Sequence, residues 1–123
     1  MAVVEACPER IRIRKPEESN SFIVCTNQFM HPEMIDMENV NGRPPDSEPR
    51  YTTIYNKLRK EGGKLTLMGA QEILSDHTGC VCSHIDSIQM GTLWSVVATL
   101  KKPQIFMAEG HPCRTKYEMD TRL

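Results

Sequence analysis

The sequence lacks an excess of charge of either sign, and it lacks any long run of apolar residues. Its 123 residues carry a formal net charge of −1, so no basic surface points to nucleic acid or to an anionic membrane. No apolar run approaches the roughly 20 residues that a membrane-spanning helix needs. The N-terminal segment contains the acidic Glu5 and no long apolar core, so we expect no secretion signal.

The sequence also lacks an even set of cysteines. It has five, and an odd number without secretion signals favours free thiols in a reducing compartment. We therefore expect a cytoplasmic protein. The chain length suits one domain with a modest core, and we interpret residues 1–123 as a single domain.

Alternating apolar residues, a short apolar run and a stretch of β-branched and aromatic residues predict strands towards both ends of the chain. Near the N-terminus we expect a three-stranded meander, in which the strand that alternates arginine with isoleucine keeps one face in solvent. Near the C-terminus a short strand precedes a hairpin whose turn contains Lys101-Lys102-Pro103. The predicted strands are Ala2–Ala6, Arg10–Arg14, Ser21–Cys25, Cys80–His84, Thr92–Leu100 and Gln104–Glu109.

Two helices are predicted between these groups of strands. Asp46 or Ser47 can cap the first, and Gly62-Gly63 ends it. A second, shorter helix starts after Thr66. The apolar face of the first consists of Tyr51, Ile54, Tyr55 and Leu58. This order predicts an α+β fold, a mainly antiparallel sheet with two antiparallel helices on one face and the other face uncovered.

One cysteine and histidine pattern suggests a metal site. Cys80, Cys82 and His84 fall on alternate positions of a predicted strand and therefore share one side of it. Three such ligands can hold zinc, with His77 or Cys113 as the fourth. However, the Cys-x-Cys-x-His spacing differs from a Cys-x-x-Cys knuckle, and cysteines often serve as small buried apolar residues. We therefore assign no metal and no cofactor.

Two polar residues have properties that catalysis can use. Asn27 follows the predicted strand Ser21–Cys25, where its amide N–H can donate to a developing oxyanion, although asparagine is also an ordinary turn residue. Arg50 lies in the first turn of the predicted helix, where its charge opposes the helix dipole. We expect a carboxylate, a thiolate or a ligand to compensate that charge, and a solvated arginine is the alternative.

Six segments occur in a distinctive order and spacing: FIVCTNQF, HPEM, DSEPRY, EILSDHTGCVCSH, TLWSVVATL and IFMAEGHPC. Together they resemble the C-terminal part of the linear-amide C–N hydrolases, the group of acyl-CoA:6-aminopenicillanic acid acyltransferase, with choloylglycine hydrolase and penicillin V acylase as distant relatives. The matching segments run from about Phe22 to Tyr117. The resemblance implies the C-terminal half of an N-terminal-nucleophile fold, which is a partial αββα sandwich.

The resemblance also implies a chemistry. In that family a precursor cleaves itself to free an N-terminal cysteine, whose own α-amine serves as its base. By resemblance, Asn27 helps to form the oxyanion hole and Arg50 steadies the nucleophile. The family's nucleophile lies in an upstream half, and none of Cys7, Cys25 and Cys80 fits its place. The resemblance thus implies a fragment or subunit that acts on N-acyl bonds, is inactive alone, and pairs with an upstream half or with a second copy of itself.

Two other functions stay open. A non-catalytic interaction module would use the long irregular segment Thr26–Pro45, with Met30, Met34 and Met37 as its contact surface. A small zinc-binding protein would use the cysteine and histidine pattern described above.

Overall fold

The computed structural model of the chain describes residues 1–39, 41–85, 87 and 89–122. They form two compact units, Met1–Lys64 (unit 1) and Leu65–Leu123 (unit 2). Each unit combines short antiparallel strands with one helix, so the predicted α+β class is confirmed. No helix among the described residues is long and apolar enough to cross a bilayer. The proposed single domain and the packing of both helices on one sheet face stay predictions.

Unit 1 begins with an antiparallel hairpin of β1 (Val3–Cys7) and β2 (Arg10–Arg14). Both strands confirm the sequence prediction. The face of the hairpin that lies in solvent carries the apolar side chains: Val4, Ile11 and Ile13 are 63%, 62% and 59% exposed. The polar face is turned inward, the reverse of the usual pattern for a surface hairpin.

The inward face is polar because each of its arginines meets a carboxylate of unit 1. The pairs are Arg10 with Asp36, Arg12 with Glu33, and Arg14 with Glu5. The first two pairs are largely solvent-exposed, and such pairs contribute at most about 1 kcal/mol each. The third is different, since Glu5 is only 5% exposed.

Glu5 is the acceptor for three donors from separate segments. The Arg14 guanidinium donates to it at 2.8 Å, and the backbone N–H groups of Met30 and His31 donate at 3.0 and 2.8 Å. Burial by itself raises the pKa of the Glu5 carboxyl, but the N–H of His31, the Arg14 guanidinium and the N–H of Met30 together lower it below its ordinary value. The carboxylate therefore ties the hairpin to the segment that follows residue 24.

The predicted third strand, Ser21–Cys25, is wrong. This segment is irregular, and the carbonyl of Val24 accepts a hydrogen bond from the Arg14 guanidinium at 2.8 Å. The segment is held by its side chains instead. Val24 is buried, and the Phe22 ring packs edge-on against Tyr55, with ring centroids 5.4 Å apart.

Unit 1 ends with the helix α1 (Ser47–Glu61), as predicted. Gly62 adopts the left-handed conformation, with φ 55°, where a glycine is favoured and the helix stops. The segment between Thr26 and Pro45 is irregular among its described residues apart from one 3-10 turn at Ile35–Met37.

Unit 2 starts with the helix α2 (Leu67–Leu74), which packs against a three-stranded sheet. Its N-cap is Thr66, whose hydroxyl accepts the N–H of Gly69 at 3.0 Å. The remaining strands are β3 (His84–Ile85), β4 (Met90–Gly91), β5 (Trp94–Thr99), β6 (Gln104–Glu109) and β7 (Glu118–Met119). β3 pairs with β4, and β6 lies between β5 and β7, all antiparallel.

The C-terminal hairpin was predicted correctly, because β5 and β6 flank the expected turn. The predicted strand Cys80–His84 is wrong. Cys80 has a left-handed backbone, with φ 57°, and only His84 of that segment belongs to a strand. A turn forms here because the N–H of Cys80 bonds to the carbonyl of His77 and the N–H of Cys82 to that of Asp76.

We expect Glu5→Gln to lower the free energy of unfolding by about 3 kcal/mol, because an amide cannot accept from all three donors and Arg14 loses its counter-charge. The folded-state pKa of Glu5 lies below the unfolded value of about 4.3. The carboxylate therefore stabilises the fold above that pH, and its contribution is lost as the pH falls through the folded-state value.

Urea unfolding followed by circular dichroism, repeated from neutral to acidic pH, measures both effects. The variant should lack the part of the wild-type acid sensitivity that Glu5 causes. Glu9→Gln, in the exposed turn of the same hairpin, is the control and should change neither quantity. A Glu5→Gln protein with the wild-type stability and acid profile contradicts the assignment.

Candidate functional site

The structure brings together the two residues that the sequence singled out for catalysis. Arg50 lies in the first turn of α1, and Asn27 lies in the irregular segment before it. The Arg50 Nη1 donates a hydrogen bond to the Asn27 Oδ1 at 3.0 Å. Because a guanidinium only donates, the asparagine must turn its oxygen towards it. The Asn27 amide nitrogen, with its two N–H groups, is therefore directed away from Arg50.

Arg50 is itself held by Asp46, the residue that precedes α1. The Arg50 Nη2 donates to the Asp46 Oδ2, one helical turn away, and the two side chains are only 23% and 17% exposed. The expected compensating partner for Arg50 is thus a carboxylate. The Asp46 side chain makes no capping hydrogen bond, since it pairs with the guanidinium instead. Asp46, Arg50 and Asn27 form a connected chain of polar contacts.

A cleft of about 550 Å³ in unit 1 includes Asn27 in its lining. Thr26 and Gln28, on either side of Asn27, also line it. The Thr26 Oγ1 and the Gln28 Oε1 are buried without a hydrogen-bond partner among the residues that the structure describes. Buried polar atoms in proteins normally have partners, so the polar groups on either side of Asn27 are incompletely satisfied.

The segment that carries Asn27 is fixed on both sides by the hairpin. Arg14 bonds to the carbonyl of Val24, before Asn27, and Glu5 accepts the N–H groups of Met30 and His31, after it. An irregular segment is ordinarily a mobile place for a functional side chain. Here the buried ion pair of Glu5 and Arg14 limits that mobility.

Cys25 also lines the cleft, and its side chain is exposed. It lies two residues from Asn27, but an internal cysteine has no α-amine to act as its base. Cys7, in β1, is half-buried. The structure thus places the Cys25 thiol in the cleft of Asn27 and the Cys7 thiol in the hairpin.

Unit 2 contains a second cluster, formed by His77, Cys82, His84 and Cys113. Their ligand atoms all lie within 4.8 Å of one another. The Cys82 Sγ is 3.6 Å from the His84 Nε2, which is 3.1 Å from the Cys113 Sγ. The predicted group was wrong in one member, because the turn leaves Cys80 exposed and outside the cluster. His77 and Cys113, predicted as alternatives for one position, are both present.

The loops of this cluster are joined by hydrogen bonds. The Ser75 hydroxyl, at the end of α2, donates to the carbonyl of Pro112 at 2.9 Å, next to Cys113. His111 donates its Nδ1–H to the carbonyl of Thr92 at 2.6 Å and packs against the His84 ring, with centroids 4.0 Å apart. His111 was not among the predicted candidates, and its position two residues before Cys113 was the available signal in the sequence.

Burial raises the pKa of the Cys82 thiol above its ordinary value. The neighbouring Cys113 acts in both directions, because its N–H lowers the pKa of Cys82 and its thiol raises it.

The methionine surface proposed for an interaction module is wrong in one member, since Met34 is fully buried.

Comparison with known proteins gives one family. The family model described as acyl-coenzyme A:6-aminopenicillanic acid acyl-transferase matches residues 1–114. The match includes Asn27, Arg50 and all four members of the second cluster. No curated protein and no solved structure matches the chain.

The contact between Asn27 and Arg50 can be measured by a double-mutant cycle. We expect Asn27→Ala and Arg50→Met to show a coupling energy of about 0.5–3 kcal/mol in urea unfolding, since residues in one hydrogen-bond network are not additive. The control cycle pairs Asn27→Ala with Arg43→Met, because Arg43 lines the same cleft but forms an ion pair with Glu38. Equal coupling in the two cycles contradicts a specific contact between Asn27 and Arg50.

Proposed function

The chain belongs to the acyl-coenzyme A:6-aminopenicillanic acid acyl-transferase family, and we propose that it supplies the oxyanion-binding part of an acyltransferase or amidohydrolase acting on linear N-acyl bonds. The contact between Arg50 and Asn27 carries this proposal. It fixes which end of the asparagine amide is available to a ligand.

The proposed role of Asn27 follows from that orientation. When a thiolate attacks an amide or thioester carbonyl, the carbonyl oxygen becomes negatively charged in the tetrahedral intermediate. The Asn27 Nδ2–H can donate to that oxygen without neutralising it, and preorganised donors of this kind lower the barrier. The charge of Arg50 polarises the amide through its oxygen, which strengthens the N–H as a donor.

Arg50 has a second proposed role, towards the nucleophile. A guanidinium near a thiol favours the thiolate, which is the reactive form. The nucleophilic cysteine passes its proton to its own α-amine, and the proton then goes to the leaving amine as the carbon–nitrogen bond breaks. Arg50 is suited to this position because Asp46 fixes its guanidinium from the other side.

The nucleophile itself belongs to an upstream half outside these residues in our proposal. Cys25 is near Asn27 but internal, and Cys82 and Cys113 are engaged with histidines. We therefore expect the chain to be inactive alone, as the C-terminal half of a single αββα domain in the cytoplasm. The five free cysteines agree with a reducing compartment.

The exposed apolar face of the hairpin is our candidate for the contact with that upstream half. Val4, Ile11 and Ile13 lie on one side of two paired strands, each about three-fifths exposed. A contiguous apolar face is unusual on a soluble monomer. The arginines on the reverse face are fixed in ion pairs, so the isoleucines cannot turn inward without breaking those pairs.

A non-catalytic interaction module is the second candidate function, and the same exposed face favours it. The two functions differ in their genetic setting. A neighbouring reading frame that encodes the upstream strands and a Gly-Cys start favours the enzyme subunit, whereas its absence favours the interaction module.

The catalytic proposal predicts activity on reconstitution. Mixed with the upstream half of a family member, the chain should release amine from members of a panel of N-acyl compounds, and neither half should do so alone. Asn27→Ala should lower kcat by roughly 10²- to 10³-fold, the usual cost of losing one oxyanion donor.

Asn39→Ala is the matched control for this measurement, because Asn39 lines the same cleft and has no proposed role. It should leave turnover within about two-fold, the spread expected of a surface substitution. Wild-type turnover in the Asn27→Ala complex refutes the oxyanion role. Amine release by the chain alone refutes the missing nucleophile.

The contact face predicts a separate result. Ile11→Lys combined with Ile13→Lys should weaken binding to the upstream half, because two charges are placed in an apolar contact. Met68→Lys, at an equally exposed apolar position on α2, is the control and should bind normally. Calorimetric titration measures both. Unaltered binding by the double variant contradicts the assignment. So does a chain that elutes as a clean monomer in size-exclusion chromatography and binds no apolar dye. If the chain associates with itself, a second copy is the partner that covers the face.

A further inference from the structure

We propose that unit 2 binds a zinc ion through His77, Cys82, His84 and Cys113. The four residues come from three separate parts of the unit: the turn after α2, the start of β3, and the loop after β6. Their four ligand atoms converge to within 4.8 Å of one another. This site is independent of the proposed acyl-transfer chemistry, whose residues lie in unit 1.

The distances suit a tetrahedral ion. Zinc–sulfur bonds of about 2.3 Å and zinc–nitrogen bonds of about 2.0 Å place ligand atoms roughly 3.3–3.8 Å apart. The Cys82 Sγ and the His84 Nε2 are 3.6 Å apart, and the His84 Nε2 and the Cys113 Sγ are 3.1 Å apart. No pair of ligand atoms exceeds 4.8 Å, so the four atoms lie within about 1.5 Å of the spacing that a tetrahedral ion requires.

The ligand set identifies the metal class. Two thiolates with two imidazoles form the Cys₂His₂ combination of structural zinc sites, and soft sulfur ligands disfavour magnesium, calcium and manganese. Four protein ligands leave no open position for water or substrate. The ion would therefore connect loops and would not act as a Lewis acid.

Hydrogen bonds between neighbouring residues connect the segments that carry the four ligands. The Ser75 hydroxyl bonds to Pro112 O and so links the end of α2 to the loop of Cys113. Ser83 N donates to the Thr92 hydroxyl at 3.0 Å, beside His84. His111 is oriented by the Thr92 carbonyl and packs on the His84 ring. These contacts hold together the segments that carry the ligands.

The composition of unit 2 gives the ion a purpose. Among its described residues, the buried apolar side chains are Ile73, Val81, Cys82, Ala108 and Pro112. A unit of this size rarely reaches stability on so small a core, and small domains often add a metal for that reason. An ion on these four ligands cross-links three loops next to that core.

Two metal-free arrangements compete with the proposal. In one, the thiols and imidazoles only hydrogen-bond to each other. In the other, Cys82 and Cys113 form a disulfide under oxidising conditions. Neither holds a stoichiometric metal ion, so metal binding separates them from the zinc site.

The test uses the full chain purified under reducing conditions with zinc supplied. We expect one zinc per chain by elemental analysis, and a rise in the melting temperature on adding zinc that a strong chelator reverses. With cobalt in place of zinc, tetrahedral coordination gives strong visible bands, and thiolate ligands add charge-transfer absorption in the near ultraviolet. Absence of a stoichiometric ion, or cobalt bands without thiolate charge transfer, overturns the proposal.

Variants distinguish the four ligands from nearby residues. His77→Gln changes an exposed residue, so the fold should survive, and it should weaken zinc binding by roughly 100-fold or more, beyond the usual loss for an outer-shell group. Cys113→Ser removes one thiolate ligand, so it should lower the charge-transfer absorption of the cobalt form. Cys80→Ser removes an exposed cysteine of the same turn that lies outside the cluster, and should bind as the wild type does. Full affinity in His77→Gln, or lost affinity in Cys80→Ser, overturns the four-ligand assignment.

Discussion

The buried carboxylate of Glu5 is the interaction on which the organisation of unit 1 depends. It joins β1 to β2 through Arg14, and it joins the hairpin to the backbone at Met30 and His31. An unpaired carboxylate at this depth would be costly, and three donors compensate that cost. The same contacts determine where the segment of Asn27 lies. Glu5 lines the same cleft as Asn27 and has no proposed role in the chemistry, yet its contacts fix the position of the candidate site.

The contrast between tertiary contacts such as these and local periodicity explains which parts of the fold were predictable from the sequence. The periodicity of β2, β5, β6 and both helices was sufficient to identify them, because a repeat of two or of 3.6 residues reflects local geometry. A short apolar run was sufficient for β1. Periodicity does not tell which face of a strand is buried. In β2 the arginines are turned inward, since carboxylates from elsewhere in unit 1 are available to them. That information lies in tertiary contacts.

The two mistaken strands have the same kind of cause. Ser21–Cys25 has the composition of a strand, but Arg14 occupies the Val24 carbonyl. Cys80–His84 alternates like a strand, but the left-handed Cys80 bends the chain into a turn. That turn is what brings Cys82 and His84 near His77. The alternation correctly indicated cysteine and histidine as the residue types of the cluster. A straight strand, however, would have placed Cys80 beside Cys82 and His84, whereas the turn leaves Cys80 outside the cluster.

The two candidate sites differ in how much each requires from outside the described residues. Asn27 and Arg50 were singled out by their positions in the sequence, and the resemblance added their roles. Their contact is a matter of tertiary structure that sequence spacing does not encode. An oxyanion donor and a guanidinium have no catalytic effect until a nucleophile and a carbonyl are present. The cluster of two cysteines and two histidines is complete as a ligand set, because a closed tetrahedral site needs only the ion. Since the two sites share no residue, loss of the proposed catalytic role of Asn27 and Arg50 would leave the ligand set of the cluster intact. A relative without catalytic activity can therefore keep the four ligands and still bind the ion. In such a relative the contact between Asn27 and Arg50 would serve only the stability of the fold.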